Sequence, residues 1–120
     1  MALLSLKFVT DVRDTDYEVV EFHGELDKST QEATEKQIIE FLATYTRRWL
    51  VFDLSDLKFV NSEGIGFFVA LHAKLTKKNQ QLLISGVAAN VADIFAAIGL
   101  ERIIPTFPHL AEAIHHIKKT

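Results

Sequence analysis

The sequence contains no cysteine, and this absence excludes several classes of function at once. Without thiols there is no disulfide framework, no thiolate nucleophile and no cysteine zinc site, which also fits a reducing compartment. No apolar run is long enough to cross a bilayer, and the N-terminal apolar stretch reaches Lys7 before it could form the hydrophobic region of a signal peptide. We therefore expect a cytoplasmic protein with no direct membrane insertion.

An excess of basic charge is also lacking. The 120 residues carry a formal net charge of −3, so no global basic field is available to hold a nucleic-acid backbone. The length and the 48% apolar content fit one ordinary globular domain, which we place at residues 1–120. We expect no nucleic-acid partner and no second domain.

The apolar residues recur in patterns that predict strands and helices in the order β-β-α-β-α-β-α-β-α. An N-terminal hairpin precedes an amphipathic helix that starts near Ser29 or Thr30, and a buried central strand runs from Trp49 to Leu54. Further elements are expected at 62–77 (helix), 81–85 (strand), 91–98 (helix, ended by Gly99) and 103–104 (strand), followed by a closing helix with Pro108 in its first turn and Ile117 facing inward. This alternation indicates an α/β fold with a mixed, largely parallel sheet and helices packed on it.

Residues 53–66 carry the most informative local pattern, a strand that turns into a helix with Ser62 at the joint. The free N–H groups and the positive dipole end of a helix N-terminus favour an anion such as a phosphate. Gly64 and Gly66 remove side chains from the first helical turn, which lets a bulky partner approach closely. The plainer explanation is that Asn61 or Ser62 caps the helix and the glycines ease its packing onto the sheet.

The next turn of this helix is apolar around its whole circumference, whereas a helix that covers a sheet needs only one apolar stripe. If Ile65 and Phe68 face the sheet, then Phe67 and Leu71 lie on the outward flank. An exposed aromatic side chain beside Ser62 predicts a protein-binding face.

Short motifs occur along nearly the whole chain. They are Gly24-Glu25-Leu26-Asp27, Asp53-Leu54-Ser55, Phe59-Val60-Asn61-Ser62, Gly64-Ile65-Gly66, the Phe95 to Leu100 stretch and Ala111-Glu112-Ala113. Together they resemble the motifs of the STAS family, and specifically those of bacterial anti-sigma-factor antagonists. The resemblance implies a single STAS domain that is not itself an enzyme and needs no cofactor.

In that family the serine corresponding to Ser62 is the phosphoacceptor for a partner that is both a serine protein kinase and an anti-sigma factor. The resemblance implies that the unphosphorylated protein binds this partner and frees a sigma factor. It also implies that phosphorylation ends the contact and that a serine phosphatase resets the protein. A phosphate inside a contact patch adds close to two negative charges, which costs affinity by desolvation and repulsion.

The expected contact surface draws on three segments that emerge near Ser62 in the proposed sheet. Its residues are Asp27, Lys28, Asn61, Ser62, Glu63, Gly64, Ile65, Phe67, Gly86, Val87, Ala88 and Ala89. Asp27 could equally be an N-cap of the first helix, and Gly86 an ordinary turn residue.

Two residues depart from the usual motif. Asn61 stands where Asp is most frequent, and Glu63 stands where a small residue is usual. Asn61 still caps a helix but supplies no carboxylate, while Glu63 suits the helix dipole but would repel a phosphate on its neighbour. These departures keep a second hypothesis open, a scaffold subunit of a signalling assembly or membrane transporter complex in which Ser62 is never modified.

A small serine hydrolase is the third hypothesis, and the sequence argues against it. Ser62 lacks the Gly-x-Ser-x-Gly frame because Val60 stands at the first glycine position. The histidines at 109, 115 and 116 have no cysteine or close carboxylate to complete a ligand set, so we expect no metal site.

Overall fold

The computed structural model describes residues 2–11 and 13–120, so Met1 and Val12 of the expected domain lie outside the described residues. The strands are β1 (Leu4–Val9), β2 (Tyr17–Leu26), β3 (Trp49–Val60), β4 (Gln81–Ser85) and β5 (Thr106–Phe107). The helices are α1 (Gln31–Leu42), α2 (Ser62–Lys77), α3 (Ala89–Ile98) and α4 (Leu110–Lys118), with a 3-10 turn at Leu100–Arg102. The predicted α/β fold and order of elements are confirmed, but Pro108 lies before α4, whose N-cap is His109, and not in its first turn.

The strands form one five-stranded sheet in the order β1-β2-β3-β4-β5. β1 pairs antiparallel with β2, and every later pairing is parallel. The carboxyl ends of β2, β3 and β4 therefore lie toward the same edge, where the loops of an α/β sheet carry functional groups. Ser62 follows β3 at this edge.

The sheet has a helix layer on each face. α1, α2 and α3 cover one face, where the buried rings of Phe22, Phe52 and Phe68 lie with centroids 4.9 to 5.6 Å apart. α4 covers part of the other face by packing Ala113 and Ile117 against a smaller cluster that includes Trp49. Among the described residues, none of the helices has the length and apolar character needed to cross a membrane.

The last strand lies three residues beyond its predicted position, at Thr106–Phe107 instead of Ile103–Ile104. The backbone N–H groups of Ile103 and Ile104 both donate to the carbonyl oxygen of Leu100, each at 2.9 Å. Ile103 caps the 3-10 turn Leu100–Arg102 and Ile104 follows it, buried in the core, and within the described residues neither belongs to a strand. The prediction at 103–104 was wrong because a two-residue apolar run fits either structure.

The expectation that Phe67 and Leu71 lie on an outward flank of α2 is also corrected. Leu71 is only 3% exposed, and Phe67 is half-buried against the main core. α1 packs beside α2 in the same layer, so more than one stripe of α2 is covered. The apolar circumference of this helix reflects neighbouring helices.

Candidate functional site

Asn61 caps the helix that Ser62 begins. The side-chain Oδ1 of Asn61 accepts a hydrogen bond from the backbone N–H of Gly64 at 2.8 Å. The Asn61 carbonyl accepts the N–H of Ile65 at 3.1 Å, and the Asn61 N–H donates to the carbonyl of Leu26 at 3.0 Å. Within the part of the chain that the structure describes, the side-chain cap of α2 is supplied by Asn61 and not by Ser62.

Ser62 and Glu63 are exposed in the first turn of α2. The hydroxyl of Ser62 takes no part in the hydrogen bonds that hold the cap. Residues one helical turn apart share a face, so Gly66, also exposed, lies beside both. The result is an open surface with a solvent-accessible hydroxyl.

The two glycines of this turn have different roles. A Cβ on Gly64 would lie 2.8 Å from both Leu26 Cδ2 and Val60 Cγ2, so this glycine lets α2 seat closely against the ends of β2 and β3. A Cβ on Gly66 would meet no atom within 4 Å. Gly64 therefore serves packing, whereas Gly66 leaves the surface beside Ser62 bare.

The turn after β2 lies next to this cap, because Leu26 pairs with Val60 in the sheet. The Asp27 carboxylate accepts the hydroxyl of Ser29 at 2.7 Å, the N–H of Ser29 at 2.8 Å and the N–H of Thr30 at 3.3 Å. These bonds, that from the Ser29 hydroxyl first, lower the pKa of Asp27. Asp27 thus stabilises the turn into α1, and Lys28 is exposed beside it.

The segment at residues 86–89 was expected near Ser62, but it begins beside Asp53, several residues before the end of β3. Ser85 pairs with Asp53, and a Cβ on Gly86, whose φ is +68°, would lie 3.0 Å from Asp53 Oδ1. β3 continues past this point to Val60 before the chain reaches Ser62. The N-terminal turn of α3 spans part of that length, since the Asn90 side-chain amide donates to the carbonyl of Lys58 at 2.6 Å.

Three residues expected in the contact surface are buried or partly buried against the core. Gly64 is buried, Ile65 is 7% exposed, and Phe67 packs against the main core. Their packing positions the first turns of α2 on the sheet. Ser62 and Glu63, next to them in the chain, are exposed.

Phe59 is the exposed aromatic residue that the sequence reasoning missed in this region. It is 41% exposed on β3, just before the cap, and pairs with Glu25 of β2. The pairing of β2 and β3 shifts register between Gly24 and Glu25, which breaks the alternation of inward and outward side chains. The only sequence signal for Phe59 was its place in the motif ending at Ser62.

A charged cluster on β2 and β3 bears on the hydrolase hypothesis. His23 Nδ1 lies 2.8 Å from Asp56 Oδ2, and His23 Nε2 lies 2.9 Å from Glu21 Oε1. The Asp56 carboxylate, followed by that of Glu21, raises the pKa of His23, and His23, followed by Lys58, lowers the pKa of Asp56. Both ring nitrogens are engaged, so His23 offers no free base to a serine.

Metal binding has no support from the described part of the chain. Across residues 2–11 and 13–120 no group of three or more His, Cys, Asp or Glu side chains is placed to hold a metal ion. The C-terminal histidines differ among themselves, since His116 packs between Trp49 and Phe107 at ring-centroid distances of 5.7 and 5.2 Å. That residue contributes to the packing of α4.

The model of the STAS domain family matches residues 8–113 of this chain. The protein belongs to the STAS family. This STAS protein is similar to the anti-sigma-B factor antagonist of Staphylococcus aureus, at 29% identity over 101 residues that cover 84% of this chain and 92% of the relative. It is also similar to that of Listeria monocytogenes, at 28% identity over 92 residues that cover 77% and 80%.

Solved structures share the STAS fold. An anti-sigma factor antagonist from Mycobacterium paratuberculosis superposes with a TM-score of 0.84 at 24% identity, covering 97% of this chain and 95% of that one. The unphosphorylated anti-sigma factor antagonist SpoIIAA gives 0.76 at 17% identity, covering 97% and 98%. The murine anion transporter Slc26a9 gives 0.78 at 15% identity, covering all of this chain but 23% of the transporter.

Proposed function

We propose that this STAS protein is an anti-sigma factor antagonist controlled by phosphorylation of Ser62. The unphosphorylated form binds an anti-sigma factor that is also a serine kinase and so frees a sigma factor in the cytoplasm. Phosphorylation ends this contact, and a serine phosphatase restores it. The observation that carries the proposal is an exposed Ser62 in the first turn of α2, with the cap supplied by Asn61.

The helix end can carry a phosphate without losing its cap. Asn61 already engages the N–H of Gly64, while the first N–H groups of a helix have no partner inside it. These groups and the helix dipole favour an anion at this position. The structural effect of phosphorylation therefore falls mainly on a bound partner and much less on the fold of α2.

The surface around Ser62 supports the proposal that a phosphate ends a contact. Gly66 leaves the neighbouring position bare, so a partner can approach the hydroxyl closely. A phosphoserine brings close to two negative charges into that approach, next to the carboxylate of Glu63. Desolvation of this charge opposes binding unless the partner supplies matching cations.

The experiment uses the anti-sigma kinases encoded in the same genome, each purified and incubated with this protein and ATP. Intact mass measurement should show the gain of one phosphate in the native chain and none in Ser62→Ala. Ser55→Ala is the matched control, because Ser55 is another exposed serine of the same segment and should leave the gain intact. A phosphate that persists in Ser62→Ala, or none with any of these kinases, contradicts the proposal.

Binding to the same kinase tests whether negative charge at position 62 weakens the contact. The native chain and Ser62→Ala should bind it, whereas Ser62→Asp, which adds a negative charge at the site, should bind it at least about tenfold more weakly. Titration calorimetry measures the three affinities. Equal affinity for Ser62→Asp and Ser62→Ala would remove the charge mechanism.

A constitutive STAS scaffold subunit is the second candidate, and the exposed Glu63 favours it. A carboxylate next to Ser62 disfavours a phosphate and occupies space that a kinase would need. In this case Ser62 stays unmodified, and the neighbouring genes encode signalling-assembly or transporter subunits. A neighbouring gene for a kinase of the anti-sigma type supports the switch.

A further inference from the structure

The outer edge of β1 is the free edge of the sheet on the side of the N-terminal hairpin. β1 is first in the strand order and pairs with β2 without any shift of register from Leu4 to Val9. The N–H of Glu25 donates to the carbonyl of Leu3 at 2.9 Å, so the odd-numbered residues of β1 turn their backbone groups toward β2. The N–H and C=O groups of Leu4, Leu6 and Phe8 therefore point away from the sheet.

This edge has few of the features that block pairing with another strand. Proteins protect free edges with proline, bulges or several charged side chains. β1 reads Leu-Ser-Leu-Lys-Phe-Val, has a regular pairing and carries one charge, that of Lys7. Lys7 stands opposite Glu21 within the same chain, which offsets its charge.

Apolar side chains are left partly uncovered on both faces at this edge. Leu4, Leu6 and Phe8 pack on the main core but are only half-buried, with the Phe8 ring 4.6 Å from that of Phe41 on α1. On the other face Leu3 is 74% exposed and Val9 is 38% exposed. An added strand would cover both groups.

One register makes β1 complementary to a second copy of itself. With the two strands antiparallel and a two-fold axis through Leu6, Leu4 stands opposite Phe8, Ser5 opposite Lys7, and Leu3 opposite Val9. The backbone groups that point outward then meet each other, and the two exposed apolar residues come together. Moving the axis to Lys7 would place the two lysines directly opposite, which is unfavourable.

We propose that β1 pairs antiparallel with β1 of a second copy of this chain, joining two five-stranded sheets into one across a two-fold axis. β2 separates β1 from β3, so the Ser62 surface stays open in the pair. The pairing is independent of the proposed phosphorylation, and either can fail without the other.

Sedimentation equilibrium of the full chain, from low micromolar to several hundred micromolar, tests the pairing. The native chain should show a reversible monomer–dimer equilibrium. Ser5→Lys places a lysine opposite Lys7 at two symmetric positions and should raise the dissociation constant about tenfold, while Ser5→Glu should lower it. Ala97→Lys adds the same charge at an exposed position of α3 and should change nothing.

A native chain that stays monomeric throughout this range overturns the proposal, and so does a dimer that Ser5→Lys leaves unchanged. Amide hydrogen exchange gives a second readout. The amides of Leu4, Leu6 and Phe8 should become protected as concentration rises, while those of Ser5 and Lys7 are protected at every concentration. Unchanged exchange at Leu4, Leu6 and Phe8 in a dimeric sample would place the interface elsewhere.

Discussion

The side-chain Oδ1 of Asn61 accepts the backbone N–H of Gly64 at 2.8 Å, and this bond caps α2 without using the side chain of Ser62. Ser62, next along the chain, is left with an exposed hydroxyl that the helix does not need. A modification of Ser62 can then change the surface without unfolding the helix that carries it.

Asn61→Ala should lower the free energy of unfolding by about 1 kcal/mol, because the cap bond is lost. Asn61→Asp keeps an acceptor and should stay near the native value. Ser62→Ala, the matched neighbour, should change stability by less than about 0.5 kcal/mol. Urea denaturation measures all three, and a loss in Ser62→Ala as large as that in Asn61→Ala would assign the cap to the wrong residue.

Gly64→Ala and Gly66→Ala should change stability in opposite directions. A methyl group at Gly64 meets the buried side chains of Leu26 and Val60, and such overpacking costs about 1–3 kcal/mol. At Gly66 the same methyl group meets open space and adds helix propensity, a gain of about 0.5–1 kcal/mol. Chemical denaturation measures the free energy of unfolding of both variants. Equal changes in Gly64→Ala and Gly66→Ala would contradict the difference in packing at the two positions.

Several elements of the fold could be predicted because local signals and tertiary structure agree. α2 spans Ser62–Lys77 as predicted from its apolar pattern. α3 ends at Gly99, which has φ +70° and bonds back to the helix, with Leu100 buried next to it. A glycine at a left-handed helix C-cap can be recognised from the local sequence, without knowing which residues pack around it in the fold.

Other features depend on neighbours that the local sequence does not show. Leu71 and Ile104 are both buried in the main core, although the local pattern predicted an outward flank for the first and a strand for the second. β3 runs on to Val60, well beyond the apolar run that ends at Leu54, because β2 offers it a partner through a shifted register. That extension exposes Phe59 and sets the distance between Gly86 and Ser62.

The stability of the fold should depend on pH through His23. Its folded-state pKa is raised above the ordinary 6.5, first by Asp56 and then by Glu21, so the charged ring is favoured in the folded protein. This contribution is fully present below pH 6.5 and is lost as pH rises through the folded pKa. Lys58, whose Nζ lies 3.0 Å from Asp56 Oδ1, already offsets part of the Asp56 charge and so reduces the effect.

Urea denaturation from acidic to alkaline pH tests this dependence in the native chain and in His23→Asn. The native chain should lose stability relative to the variant as pH rises above 6.5. His115→Asn is the control, since His115 is an exposed histidine of α4 outside this cluster. Parallel pH profiles for the native chain and His23→Asn would show that the ion cluster contributes nothing.

Phe59→Ser should weaken binding of the anti-sigma kinase without weakening the fold. The ring is 41% exposed next to the Asn61 cap, and aromatic residues near the centre of an interface often account for more than about 1 kcal/mol of binding, roughly tenfold in affinity. Ile103→Ser is the matched control, because Ile103 is 44% exposed on the turn after α3, away from Ser62. Calorimetric titration with the same kinase should show a loss for Phe59→Ser alone, and equal affinities for both variants would exclude Phe59 from the contact.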